Sequence, residues 1–218
     1  MPPVLSLYED IMPNDGELGL EEHARMIFVV HGTVTIGSQT LSDGETWHGE
    51  SALTVKAGSG GACCWRYELT ADISAGDAKP AAGVETRVKL VALLATLPAG
   101  DLLLRGDSVA FPPGGCAFLH SHQGPGIRCL IEGGIRIDTH GRSTAYGPGG
   151  AWYESGPDAV FAQAAADRPS RFIRVMVLPR ALLGKSSIQL LNEEDKNKPR
   201  SQEYRIFADI PIAFRLTD

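Results

Sequence analysis

Two histidines one residue apart, in His120-Ser121-His122, are the side chains of this sequence best suited to chemistry. Side chains alternate faces along an extended strand, so both imidazoles project from the same side. A pair so placed can grip one ion, because neutral imidazole nitrogen is a good ligand for zinc, iron, copper or nickel. Zinc and iron sites normally take three or more protein ligands, so the pair needs help. Glu154 in Trp152-Tyr153-Glu154 can supply a carboxylate, sharing a strand face with Trp152. Two histidines and a carboxylate with open positions would suit non-haem iron. Arg128 shares a face with Gly126 and could meet an anionic ligand with its guanidinium fork. Trp152 and Phe161 are candidates to line a substrate pocket. Each also has a plainer reading: hydrogen-bonded histidines, a solvated carboxylate, a rim salt bridge, aromatic core packing. His140 reads as a hairpin-loop residue, Glu132 as a strand-end charge, and His23, His31 and His48 as structural.

The elements that must position these residues are strands. Short runs rich in Val, Ile, Thr, Phe and Trp recur between Gly, Pro, Asp and Ser clusters, the pattern of an all-β chain. Ala71–Gly83 reads as a linker, and Asn192–Arg200 as a charged, solvated loop before a last strand near Tyr204–Phe207. That strand is expected to complete the first barrel or to cross to a second subunit. The chain also repeats itself. Phe28–Ile36 matches Cys129–Ile137, Gly44–Trp47 matches Gly149–Trp152, and Cys64–Leu69 matches Phe172–Val177, in the same order. Three ordered matches indicate duplication.

Gly114 or Gly115 before His120-Ser121-His122, with Gly133 closing the segment, resembles the first motif of the cupin superfamily, and the repeat resembles a bicupin. Residues 150–161 match the second cupin motif loosely. The resemblance implies two tandem double-stranded β-helix (jelly-roll) barrels. The expected divisions are residues 1–75, a cupin domain that has lost its metal site, with or without part of the C-terminal tail; 84–180, the cupin domain with the candidate site; and 181–218, an extension with a final strand. The sequence departs from the family at the ligands. Gly126 stands where the motif's Glu is usual, Phe161 where a third His is usual, and Gly19 and Glu21 where the repeat places His120 and His122.

With 218 residues, 43% hydrophobic and 21% charged, the chain can bury a sound core. A net charge of −6 argues against nucleic acid or an anionic membrane as a partner. Met1–Ser6 carries no basic, apolar leader, and the cytoplasm is the expected location. Cys63, Cys64, Cys116 and Cys129 form no Cys-x-x-Cys pair and read as small buried hydrophobes. The leading expectation is a metal-dependent small-molecule enzyme of dioxygenase, isomerase or lyase type. It would hold Fe, Zn, Ni or Mn on His120, His122 and Glu154, with Arg128, Trp152 and Phe161 facing the ligand. The alternative is a binding or sensing bicupin without a working metal site. A homodimer is expected from the general frequency of symmetric pairs.

Overall fold

Glycines set the corners of this fold. In the computed structural model, which describes residues 2–71, 79–80 and 82–214, long strands bend where glycine permits it. The first unit comprises residues 1–95 with 212–218, and the second residues 96–211. Among the described residues, no helix is long and apolar enough to cross a membrane.

The first unit holds β1 (Val4–Met12), β2 (Glu17–Leu20), β3 (Ala24–Ile36), β4 (Gln39–Ser42), β5 (Thr46–Gly49), β6 (Leu53–Thr70), β7 (Lys79–Pro80) and β8 (Glu85–Leu93). They form one sheet with the path β4-β3-β6-β1-β8, onto which β2, β5 and β7 pair. The sheet folds over where β3 slips register against β6, between Val29 and Val34. There Gly32 and Gly61 adopt φ of 88° and 73°, and a Cβ on Gly32 would lie 2.3 Å from the Gly61 carbonyl oxygen. Only glycine fits that crossing. The sheet packs around Met12, Leu18, Ile27, Val29, Val34, Ile36, Val55 and Cys64.

The second unit holds β9 (Leu102–Phe111), β10 (Cys116–His122), β11 (Gly126–Glu132), β12 (Ile135–Thr139), β13 (Arg142–Tyr146), β14 (Ala151–Glu154), β15 (Val160–Ala164), β16 (Ser170–Pro179), β17 (Ile188–Leu190) and β18 (Glu203–Ile212). Two sheets result, in the orders β13-β12-β15-β10-β17 and β14-β11-β16-β9-β18. Period-two burial along β12 and β15 turns Ile135, Ile137, Val160, Ala162 and Ala164 into a core shared with Val109, Phe111, Leu130, Trp152 and Phe172. The architecture is all-β: two tandem jelly-roll units.

The duplication is legible in the backbone. Gly32 and Gly133 have φ of 88° and 83°, and Gly44 and Gly149 have 80° and 82°. Val29 exchanges backbone hydrogen bonds with the Gly44–Glu45 turn, as Leu130 does with Gly149–Gly150.

Three boundaries differ from the sequence reading. The stretch from residue 84, expected to open the second barrel, instead forms β8 and pairs with β1 along Val4–Ile11. The expected linker lies partly outside the described residues, at 72–78 and 81. The extension is built into the second unit: β17 pairs with β10 and β18 with β9.

Candidate metal centre

Strand β10 places His120 and His122 on one buried face, each 5% exposed, with ring centroids 4.9 Å apart and planes at 81°. Strand β14 brings Glu154, 8% exposed, to the same place. The three side chains offer ligand atoms that all lie within 4.8 Å of one another. His122 Nε2 is 3.7 Å from Glu154 Oε2. Atoms sharing an ion at about 2.1 Å stand roughly 3 to 3.5 Å apart, so a pair at the 4.8 Å limit must close by roughly 1.3 to 1.8 Å.

The position of Glu154 has a local cause. It sits directly across the β11–β14 ladder from Gly126, where the cupin motif usually carries its glutamate. A Cβ at Gly126 would lie 2.5 Å from the Val175 carbonyl oxygen and 2.7 Å from Met176 Cγ, so β16 leaves no room for a side chain there. The carboxylate arrives from the neighbouring strand instead.

Hydrogen bonds prepare the histidines as ligands. His120 Nδ1 lies 2.7 Å from the Phe118 carbonyl oxygen, to which it must donate, and this leaves Nε2 bare. His122 Nδ1 is 3.4 Å from Ser187 Oγ. Burial pulls both imidazoles below their usual pKa, partly opposed at His120 by Glu154. His122 falls furthest, with the charges of Arg128 and Arg174 adding to burial. Both rings are therefore held neutral, the form that binds metal.

Glu154 Oε1 accepts a hydrogen bond of 2.9 Å from Trp152 Nε1. Oε2 is buried without a hydrogen-bond partner. Arg128 Nη2 is nevertheless only 2.7 Å from it. At that distance the guanidinium is the counter-charge of the carboxylate, and a cation at Oε2 has to compete with it. Arg128 otherwise donates to the Gly126 carbonyl oxygen at 2.7 Å and is 1% exposed. Burial lowers its pKa to about 10, with Glu154 opposing, so it stays charged near neutrality. Two imidazoles with lowered pKa and one carboxylate are a donor set that fits a divalent cation.

The structure thus gathers His120, His122, Glu154, Arg128 and Trp152 around a cavity of about 20 Å³, room for roughly one ion or water. Phe161 is not in it. The sequence reading of Phe161 as a pocket residue in the place of a third histidine is corrected by strand parity: Val160 and Ala162 face inward. Phe161 instead lies half-buried under the Arg136 guanidinium, 6.0 Å from its ring centre.

Sequence reasoning missed three neighbours. Arg174 lies opposite Arg128 in the β11–β16 ladder and binds Asp107 through two hydrogen bonds of 2.9 and 2.7 Å. Ser187 touches His122 from the extension. Gln202, also on the extension, lines the cavity with a buried Oε1 that has no partner. No local motif announces them: the β11–β16 register brings in Arg174, and the pairing of β17 with β10 and of β18 with β9 brings in Ser187 and Gln202.

No family model and no curated protein matches this chain. Solved structures do. A variant of Bacillus subtilis oxalate decarboxylase superposes with a TM-score of 0.64 at 12% identity, covering 89% of this chain and 73% of that one. A second structure of the same protein, concerned with its Mn(II) centres, gives the same TM-score, identity and coverage. A cupin 2 conserved barrel domain protein from Leptotrichia buccalis gives 0.48 at 12% identity, over 81% of this chain and 84% of that one. At such identity a likeness speaks for architecture alone, and the all-β architecture of this chain is similar to that of oxalate decarboxylase.

Proposed function

We propose that this protein is a cupin-type metalloprotein acting on a small molecule, with a divalent ion held by His120, His122 and Glu154 in the second unit. The observation that carries the reading is the buried trio itself, whose ligand atoms all lie within 4.8 Å of one another. Manganese is the first metal to test, given the Mn(II) centres of the structurally similar decarboxylase. When bound, the ion would supply Lewis-acid or oxygen-activating chemistry.

The chain's own residues do the rest. Phe118 orients the His120 ring through Nδ1, and Trp152 fixes the Glu154 carboxylate through Oε1. Ile137, Ala162 and Phe172 give the cavity an apolar wall.

A second reading is a metal-free binding barrel. The contact of Arg128 with Glu154 favours it, since the carboxylate already has a counter-charge. Elemental analysis of chelator-free protein separates the two. About one metal per chain in wild type, lost in His120→Ala and Glu154→Ala, is the expected result. No metal after reconstitution with manganese, iron, zinc or nickel would establish the metal-free reading instead.

A further inference from the structure

Beside the small cavity lies a larger one of about 290 Å³, with walls that include His122, Arg174, Ile188 and Tyr204, all four shared with the small cavity. Most of the remaining wall comes from the C-terminal extension: Gly184, Lys185, Ser186, Ser187, Arg200 and Ile206. The extension is fastened by Arg105, which binds Asp209 at 2.9 Å and the backbone carbonyls of Leu182 and Lys185 at 2.6 and 2.7 Å. The chamber is therefore built, with a wall stapled to β9.

Its charge is one-sided. Arg105, Arg174, Lys185 and Arg200 line it against a single lining carboxylate, Asp107, in a chain whose net charge is −6. Arg174 is matched by Asp107 and Arg105 by Asp209. Lys185 and Arg200, both exposed, make no ion pair among the described residues. Ile188, Tyr204 and Ile206 give the same chamber an apolar side. Its volume suits an organic molecule better than a bare ion.

We propose that this chamber binds an organic carboxylate with an apolar body, its head held by Lys185 and Arg200 and its body against Ile188, Tyr204 and Ile206. The assignment deepens the metalloprotein reading by naming a substrate class, and rests on that reading only for where chemistry occurs. The shared wall makes the two sites neighbours. Glu154 is offset by Arg128 and Asp107 by Arg174, so an incoming divalent ion adds two positive charges with no local balance. A carboxylate bound in the adjoining chamber supplies part of it. Metal and acid therefore bind cooperatively, each tightening the other by the same factor.

The test is calorimetric titration of the full-length protein, metal-free and Mn(II)-loaded, with benzoate, its neutral analogue benzamide, and phenyl phosphate. Benzoate is expected to bind one per chain, with benzamide about 10-fold weaker or more, and Mn(II) is expected to tighten benzoate several-fold. A double variant Lys185→Ala/Arg200→Ala should lose about 10-fold in benzoate affinity while its melting temperature stays unchanged, because both side chains are exposed. Equal binding of benzoate and benzamide, or an unaffected double variant, would overturn the proposal. Tighter binding of phenyl phosphate would overturn the carboxylate assignment in favour of a phosphate ester. Benzoate binding as expected in a protein that takes no metal would leave the chamber standing and remove only the metal reading.

Discussion

Arg128 is the residue on which the candidate site turns, because its charge answers to Glu154 before any metal does. Removing one partner of a buried pair leaves the other uncompensated, at a typical cost of about 3–5 kcal/mol. Arg128→Met is therefore expected to destabilise the metal-free protein strongly. It should also raise Mn(II) affinity, since the ion becomes the counter-charge of Glu154. Melting curves with and without Mn(II) check this: the shift on adding metal should be larger in the variant than in wild type. Trp152→Phe keeps a ring in the core but deletes the indole donor to Glu154 Oε1. Loss of a hydrogen-bond partner behind a metal ligand typically costs about 10-fold or more in affinity, which a chelator competition would read. Gln202→Leu removes the unpartnered Oε1 from the cavity and should stabilise the metal-free protein slightly, by up to about 1 kcal/mol in urea unfolding, since a buried unsatisfied group is costly.

At the scale of elements, strand parity and ladder register decide which residues meet. The spacing of His120 and His122 on β10 was enough to place them together, and the same parity put Trp152 and Glu154 on one buried face of β14. Phe161 failed because the loose second motif left the phase of β15 open by one residue, and one residue reverses every side chain. Register between strands was not legible at all. The pairing of Gly126 with Glu154, and of Gly126 with Met176 on the other side, explains both the glycine and the relocated carboxylate. Gly126→Ala should accordingly force β11 from β16 and destabilise the protein by about 1–3 kcal/mol, measurable by denaturant unfolding.

Across the whole molecule, the two units use equivalent ladder positions differently. Arg25 faces Glu68 and Ile27 faces Arg66 in the first unit, as Gly126 faces Met176 and Arg128 faces Arg174 in the second. In the first unit these positions hold a closed ion network. Arg66 donates to Asp10 at 2.7 and 3.1 Å and to Glu68 at 2.5 Å, and Arg25 lies 2.9 Å from Glu68. Thr86 from β8 adds a hydrogen bond of 2.7 Å to Asp10. Arg66→Ala should cost about 3–5 kcal/mol of stability by leaving Asp10 buried without a cation, while metal per folded chain in the second unit is unchanged. Urea unfolding beside elemental analysis reads both.

The sequence by itself determined the all-β class, the duplication and the His120–His122 pair, because these follow from local periodicity, turn glycines and spacing two apart. It also nominated Glu154 and Trp152 through parity on one short strand. Tertiary structure alone decided that β8 belongs with β1, that Glu154 takes the place Gly126 leaves empty, and that Arg128 answers to Glu154. It alone brought Ser187, Gln202 and the cationic chamber to the site. Those facts depend on which strands lie side by side and in what register, and pairing across tens of residues leaves no mark in any short stretch of the chain.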